Sequence, residues 1–317
     1  MNPFPRIVFF GTPEFAVASL KRLVEADFEV AAVVTAPDRP SGRGLKLSSS
    51  PVKDFALLHH LPVLQPVNLK DPAFLEHLAS YHADLQIVIA FRMMPRVVWG
   101  MPKMGTFNLH ASLLPQYRGA APINWAVING ETESGVSTFF LNEQMDTGKI
   151  IFQERVEIGL HETAGELHDK LMSLGAELVL KTVAGICSGT IQEISQDLLI
   201  DRTAPLKTAP KIFKEDCRIN WEKDVYAVYH HIRGLSPHPG AFTEIRLPDG
   251  STQVLKIFRA EPELGSPASS GQYLSDGKTF LKVSTKNGFI QIKELQLSGR
   301  KAMNTVDFLH GFGSMVA

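Results

Sequence analysis

Residues 6–11 (RIVFFG) form a short unbroken apolar run closed by glycine, the pattern of a strand buried on both faces. In FAVASLKRLVEA (15–26), Phe15/Ala16, Ser19/Leu20 and Leu23/Val24 recur on one side, while Lys21, Arg22 and Glu25 fall on the other. That spacing predicts an amphipathic helix. VAAVVT (30–35) reads as a second buried strand, PVKDFALLHH (51–60) as a helix opened by Pro51, and Val63 with Leu64 as a short strand piece. A helix over 72–80 and a third long apolar strand, LQIVIAF (85–91), follow. GTFNLH (105–110), GVSTFFL (135–141) and KIIFQERVEI (149–158) are further strands, with PINWAVIN (122–129) a helix between the first two. Residues 163–186 read as one long helix with Thr163 as its cap and Glu166 three residues on. Strand–helix alternation of this kind argues an α/β fold, a doubly wound and mostly parallel sheet with helices on both faces.

From about position 201 the texture changes. DRTAPLKTAPKIFKEDCRINW is rich in Pro, Lys and Thr, has no sustained period, and reads as a linker. Beyond Gly234, short alternating runs are separated by Pro-Asp-Gly (248–250), Ser-Asp-Gly (275–277) and Lys-Asn-Gly (286–288), each a hairpin signal. The expected organisation is a catalytic α/β domain over 1–200, a linker over 201–216 and a small antiparallel β-barrel over 217–317.

Composition narrows the class. The chain has 317 residues, 44% hydrophobic and 21% charged, with a net charge of −1 that points to no polyanionic partner for the molecule as a whole. The charge is uneven, with 18 basic against 22 acidic residues before position 209 and 14 against 11 from there on. The C-terminal part is thus the more basic. Two cysteines, Cys187 and Cys217, lie outside any C-x-x-C pattern and favour a reducing compartment. The opening apolar run is too short for a secretory signal core, and no stretch reaches the ~20 apolar residues of a membrane span. The expectation is a cytoplasmic monomer without membrane attachment.

Candidate chemistry begins at GTFNLH. Side chains alternate along a strand, so Asn108 and His110 share one face while Leu109 packs on the other. Open α/β sheets place ligands beyond the carboxyl ends of their strands, where His110 falls. Asp146, in LNEQMDTG after the strand GVSTFFL, is the natural third member. A plain turn role suits Asp146 equally well. If its carboxylate reaches His110, it stabilises the charged imidazole and fixes the ring. An amide, an imidazole and a carboxylate with no Ser or Cys nucleophile suggest acyl transfer without a covalent enzyme intermediate, the bound substrate supplying the nucleophile. The loop TAPDRPSGRGLKLSSSPVK (35–53) carries Arg39, Arg43, Lys46 and Lys53 among glycines and serines, a composition suited to a phosphodiester backbone. A solvated surface loop fits it nearly as well, but its length favours function. GTPEF after the first strand is not the G-x-G-x-x-G dinucleotide fingerprint. His161, His168 and the His230-His231 pair have no partners at metal-ligand spacing, so no metal is expected.

The ordered set Asn108-x-His110, SLLP (112–115), YRGAAP (117–122) and Asp146-Thr-Gly resembles the folate-dependent formyltransferases that use 10-formyltetrahydrofolate. RPSGRGLKL…SPVK, TAPKIFKED and the C-terminal hairpins are similar to members of that group whose acceptor is methionyl-tRNA. The likeness runs nearly the length of the chain. It implies a Rossmann-like catalytic domain, an OB-like barrel, and Asn108, His110 and Asp146 as the catalytic trio. It further implies folate contacts at Ser112, Leu113, Leu114 and Pro115, with the backbone near Phe91 holding the pterin. Arg43, Lys207 and Lys211 would meet the initiator methionyl-tRNA. Arg92-Met93 stands where the group usually carries a small and an aliphatic residue. Two rivals stay open: a formyltransferase for a small amine, such as an amino-sugar nucleotide or a purine precursor, and a catalytically idle tRNA- or folate-binding module.

Overall fold

The computed structural model describes residues 5–41, 46–201, 203–246 and 250–312. In chain order the elements are β1 (Ile7–Gly11), α1 (Glu14–Glu25), β2 (Val30–Val34), β3 (Arg39–Ser41), β4 (Lys46–Ser48), α2 (Pro51–Leu58), β5 (Val63–Leu64), α3 (Pro72–Ser80), β6 (Leu85–Ile89), α4 (Arg96–Trp99), β7 (Thr106–His110), β8 (Arg118–Gly119), α5 (Pro122–Ile128), β9 (Glu133–Phe140), β10 (Ile150–Glu157), α6 (Ala164–Ser188), β11 (Thr208–Ala209), α7 (Val225–Leu235), β12 (Ala241–Arg246), β13 (Thr252–Leu264), β14 (Tyr273–Ser275), β15 (Leu281–Ser284), β16 (Gly288–Leu297), β17 (Met303–Asn304) and α8 (Thr305–Phe312). They gather into two compact units, one of Met1–Gly119, Ser134–Val156 and His168–Thr208, the other of Ala120–Glu133, Glu157–Leu167 and Ala209–Ala317.

In the first unit seven strands lie in the order β10-β9-β7-β6-β1-β2-β5. β1 pairs in parallel with β2 and β6, β2 with β5, and β6 with β7, while β9 runs antiparallel to β7. The apolar runs become central strands because both faces are covered. Val8 and Phe10 of β1 join Val34, Val88, Phe74, Leu78 and Val98 in one cluster on the α3–α4 side. The intervening Ile7 and Phe9 are equally buried. Each such side chain contributes ~1.5–3 kcal/mol on burial. Ser50 and Asp71 cap α2 and α3 through bonds from Lys53 N (3.1 Å) and Ala73 N (3.1 Å), with proline at each helix start. α1 and α6 are tied by Arg22 Nε donating to Glu177 Oε1 at 2.6 Å. Contrary to the sequence-based expectation, α6 has the length and apolarity to cross a bilayer, but half of that window is buried within the protein. Leu109 of β7 packs on Gly175 of α6, where an added Cβ would lie 2.7 Å from Leu109 Cδ2.

The second unit holds an antiparallel sheet in the order β12-β13-β16-β15-β14, with β17 on β16. It has the curled, OB-like form. α7 and α8 supply Val228, Ile232, Phe308 and Leu309 to a core with Leu255, Ile257, Ile290 and Ile292. Hairpins join β14 to β15 and β15 to β16 at the two Asp-Gly and Asn-Gly signals. In the same unit the expected capping box forms ahead of α6. Thr163 N and Oγ1 both donate to Glu166 Oε2 at 2.8 Å, and Glu166 N returns a bond to Thr163 Oγ1 at 3.3 Å.

Candidate active site

β7 sets the geometry. Asn108 lies opposite Val88 on one side and Phe139 on the other, and His110 lies opposite Ser137. Leu109 faces α6, so Asn108 and His110 share the opposite face, as strand alternation requires. Asn108 is the one half-buried residue of the strand, and among the described residues its side chain has no hydrogen-bond partner. His110 is buried, and its Nε2–H donates to the carbonyl of Tyr117 at 2.9 Å. A backbone oxygen can only accept, so this bond fixes the ring and leaves Nδ1 as the nitrogen open to chemistry.

The expected contact between Asp146 and His110 does not form; no ion pair joins them among the described residues. Asp146 Oδ2 instead accepts from Gly119 N at 3.0 Å. Carboxylate and imidazole thus grip opposite ends of Tyr117-Arg118-Gly119. The spacing in the sequence could not separate these outcomes, because a loop carboxylate beside a strand tip finds backbone N–H donors as readily as a ring.

The loops after β6, β7 and β9 each contain a non-glycine residue in left-handed backbone: Ala90 (φ 46°), Tyr117 (φ 60°) and Asp146 (φ 54°). The other three described residues of this kind, Asp27, His60 and His82, directly follow the C-caps of α1, α2 and α3, where helix termination explains them. Among the described residues, left-handed non-glycine backbone not explained by a helix end is therefore confined to these three loops. The Asp146 loop is built by Asn142, whose Oδ1 accepts from Gln144 N and Thr147 Oγ1, both at 3.0 Å. Gly148 is obligatory, since a Cβ there would stand 1.6 Å from Phe140 O.

The Ser112–Pro115 turn is held from beneath by two residues that the sequence reading did not single out. Ser137 Oγ–H donates to Ser112 O at 2.6 Å and accepts from Leu114 N (3.1 Å) and Gln153 Nε2 (2.8 Å). Gln153 also donates to Leu114 O at 2.9 Å. Polar residues inside the apolar strands GVSTFFL and KIIFQ were the signal available. Ser112, Leu114 and Pro115 are buried; Ser112 Oγ is spent on Gln116 O (2.7 Å) and Leu114 packs on Phe139 and Ile150. Leu113 is half-buried.

Phe91 is half-buried and meets Phe10 edge-on at 5.6 Å, with Arg92 over its ring at 5.6 Å. Arg92 Nη1 donates to Val67 O at 2.8 Å and Nη2 to Pro66 O. That residue, at the departure noted in the sequence, lines a cavity of about 500 Å³ with Val67, Leu69, Lys70, Met93 and Pro95.

The basic residues divide. Arg43 lies outside the described residues. Lys53 is no free cation: its Nζ pairs with Asp38 Oδ2 at 2.5 Å, and Gln65 Nε2 donates to Asp38 Oδ1 at 2.8 Å. The bond to Lys53, then that to Gln65, holds the Asp38 carboxyl below its ordinary pKa. Lys207 and Lys211 are exposed. The Lys207 backbone bonds to the site loop, with Lys207 N donating to Gln116 Oε1 (2.8 Å) and Tyr117 N donating to Lys207 O (2.7 Å). Lys211 Nζ sits over the Phe213 ring at 5.4 Å.

The formyl transferase family matches residues 5–183, and the formyl transferase C-terminal domain matches residues 211–313. The methionyl-tRNA formyltransferase of Bacteroides thetaiotaomicron is 53% identical over 309 residues, covering 97% of this chain and 95% of that protein. The enzyme of that name from Phocaeicola vulgatus is 55% identical over the same shares of each chain. Among solved structures, an N-formyltransferase from Helicobacter canadensis with folinic acid and dTDP-3-aminofucose covers 91% of this chain and 98% of its own, with TM-score 0.64 and 20% identity. HypX from Aquifex aeolicus with tetrahydrofolic acid covers 97% of this chain and 47% of its own, with TM-score 0.63 and 19% identity. At such identities these two establish the shared fold alone.

Proposed function

Since the chain belongs to the formyl transferase family, among the methionyl-tRNA formyltransferases, we propose that it moves the formyl group of 10-formyltetrahydrofolate to the α-amine of initiator methionyl-tRNA. The observation that carries the reading is an unpartnered Asn108 amide on the same strand face as a His110 anchored through Nε2. The neutral amine attacks the formyl carbon, and the oxygen takes the electron pair of the C=O bond. The Asn108 side chain donates to that oxyanion. His110 Nδ1 accepts the proton released by the attacking nitrogen, donates to the oxyanion while charged, and passes the proton to N10 as the C–N10 bond breaks. Asp146 acts through Gly119, holding the segment that fixes the imidazole.

The co-substrate would lie against the Ser112–Pro115 turn, whose side chains are largely committed inward and whose backbone is the part left to contact it. Phe91 and the cavity beside Arg92 and Lys70 would take its remainder, two cations suiting a carboxylate tail. Arg43, Lys207 and Lys211 would track the tRNA backbone, and the protein would act in the cytoplasm where that tRNA is used. The test is incubation with 10-formyltetrahydrofolate and either methionyl-tRNA or a panel of small amines that includes amino-sugar nucleotides. Formylation of methionyl-tRNA alone supports the reading; formylation of a small amine instead, or of nothing, overturns it.

A further inference from the structure

One fully buried polar side chain beside the candidate site has no part in the chemistry above. Gln196 is 2% exposed and opens the short helical turn Gln196–Leu199. It belongs to the stretch between the two family-matched regions, 5–183 and 211–313. The segment is brought in by paired backbone bonds between Ile150 and Ile194, at 2.8 and 2.9 Å.

Every hydrogen-bonding position of the Gln196 amide is used, and all on the same feature. Nε2 donates to Asp146 O at 2.9 Å and to Gly148 O at 2.8 Å. Oε1 accepts from Arg118 Nε at 3.0 Å and from Arg118 Nη2 at 2.7 Å. A primary amide has two donor hydrogens and two acceptor lone pairs, so the side chain is saturated. It bridges the Asp146–Gly148 turn to Arg118. Asp146 Oδ2 and Gly119 N bridge the same two stretches one residue further along. Asp146 keeps a left-handed backbone, which persists only where the surroundings over-determine it. The Gln196 amide joins Asn142 and the Gly119 bond in over-determining it, and is the one of these that ties the turn to Arg118.

We propose that Gln196 is a positioning residue for formyl transfer: by clamping the Asp146–Gly148 turn to Arg118 it sets where the Asp146 carboxylate meets Gly119, and through Tyr117 the orientation of His110. This rests on the functional reading above. Gln196 touches no substrate, so its effect appears in turnover and not in substrate binding.

The test uses the full-length protein with Gln196→Glu, which keeps the shape and the acceptor for Arg118 but sets an oxygen against the Asp146 and Gly148 carbonyls. Gln196→Asn, which keeps the amide but withdraws it by one methylene, is the milder variant and carries the test if the first does not fold. Assays run well below the melting temperature of each variant. The expected result is a kcat lowered by up to ~10²-fold, the loss that a misplacement of ~1 Å in the reacting groups can cause, with the KM for each substrate within ~3-fold of the parent and a larger loss for Glu than for Asn. Unchanged kcat in a folded variant, or a loss that follows the melting temperature and appears equally in KM, overturns the proposal. The parent protein is assayed alongside with methionyl-tRNA and the small amines. If it formylates a small amine instead, the functional reading fails, and the Gln196 comparison proceeds with that acceptor.

Discussion

His110 and Asp146 act on the same three residues of backbone from opposite ends. The imidazole donates a hydrogen bond from Nε2–H to the Tyr117 carbonyl, and the carboxylate accepts one from the Gly119 N–H. The loop between them is left-handed at Tyr117. Its shape is therefore a joint product of a strand residue and a residue from the loop after β9.

Two side chains that hold one segment should not act independently. His110→Ala is expected to lower kcat ~10²–10³-fold, and Asp146→Ala to lower it as well. The double variant should lose less than the product of the single losses. Steady-state kcat for all four proteins decides this; strictly multiplicative losses would show two separate roles.

Ser137 bears on stability as much as on the site. Ser137→Ala strips partners from Leu114 N and Ser112 O, both buried beneath the turn. The expected cost is about 1–3 kcal/mol for buried groups left unpaired. Urea unfolding of the two proteins measures it, and a difference near zero would mean the turn holds without the hydroxyl.

Arg43, Lys207 and Lys211 are expected to serve tRNA through charge. Each replaced by alanine should raise the KM for methionyl-tRNA, less so as salt increases, with little change in kcat. Lys53→Ala should differ, because Lys53 is half-buried and bound to Asp38. Its main effect is expected on thermal stability. A salt-dependent tRNA defect in Lys53→Ala with an unchanged melt would reverse this assignment.

Glu166 gives the fold an acid-sensitive joint. Partial burial alone would raise its pKa; the bond from Arg259 at 2.7 Å and the bonds from Thr163 outweigh that and lower it from 4.5 to about 2. A carboxylate with a depressed folded pKa stabilises the protein above its unfolded value, and that contribution disappears as pH falls from about 4.5 towards 2. Both partners of the ion pair are about half exposed, so its share is small, ~0–1 kcal/mol. Glu166→Gln should be less stable than the parent at pH 7, and the gap should close across that window in urea titrations. A gap independent of pH would contradict the assignment.

Much of this was readable in advance where the cause is local. RIVFFG, VAAVVT and LQIVIAF became central strands because strands covered on both faces read as near-continuous apolar runs. The shared face of Asn108 and His110 follows from strand alternation, and the capping box from Thr163 and Glu166 alone. Ser137, Gln153 and Gln196 escaped notice because each acts on partners many positions away, Gln196 on Arg118 across 78 residues. A lone Gln after a long helix carries no local pattern to mark it. The Lys53–Asp38 pair was illegible for the opposite reason: both residues lie in the same loop, but composition does not say which charges meet.

The central claim is that the Asn108 amide stabilises charge that develops only during transfer. Kinetics of Asn108→Ala with 10-formyltetrahydrofolate and methionyl-tRNA, alongside measured Kd values for both, test it most directly. The account predicts a kcat ~10²–10³-fold lower with both Kd values nearly unchanged. An unchanged kcat, or a loss carried wholly by weaker substrate binding, would contradict it.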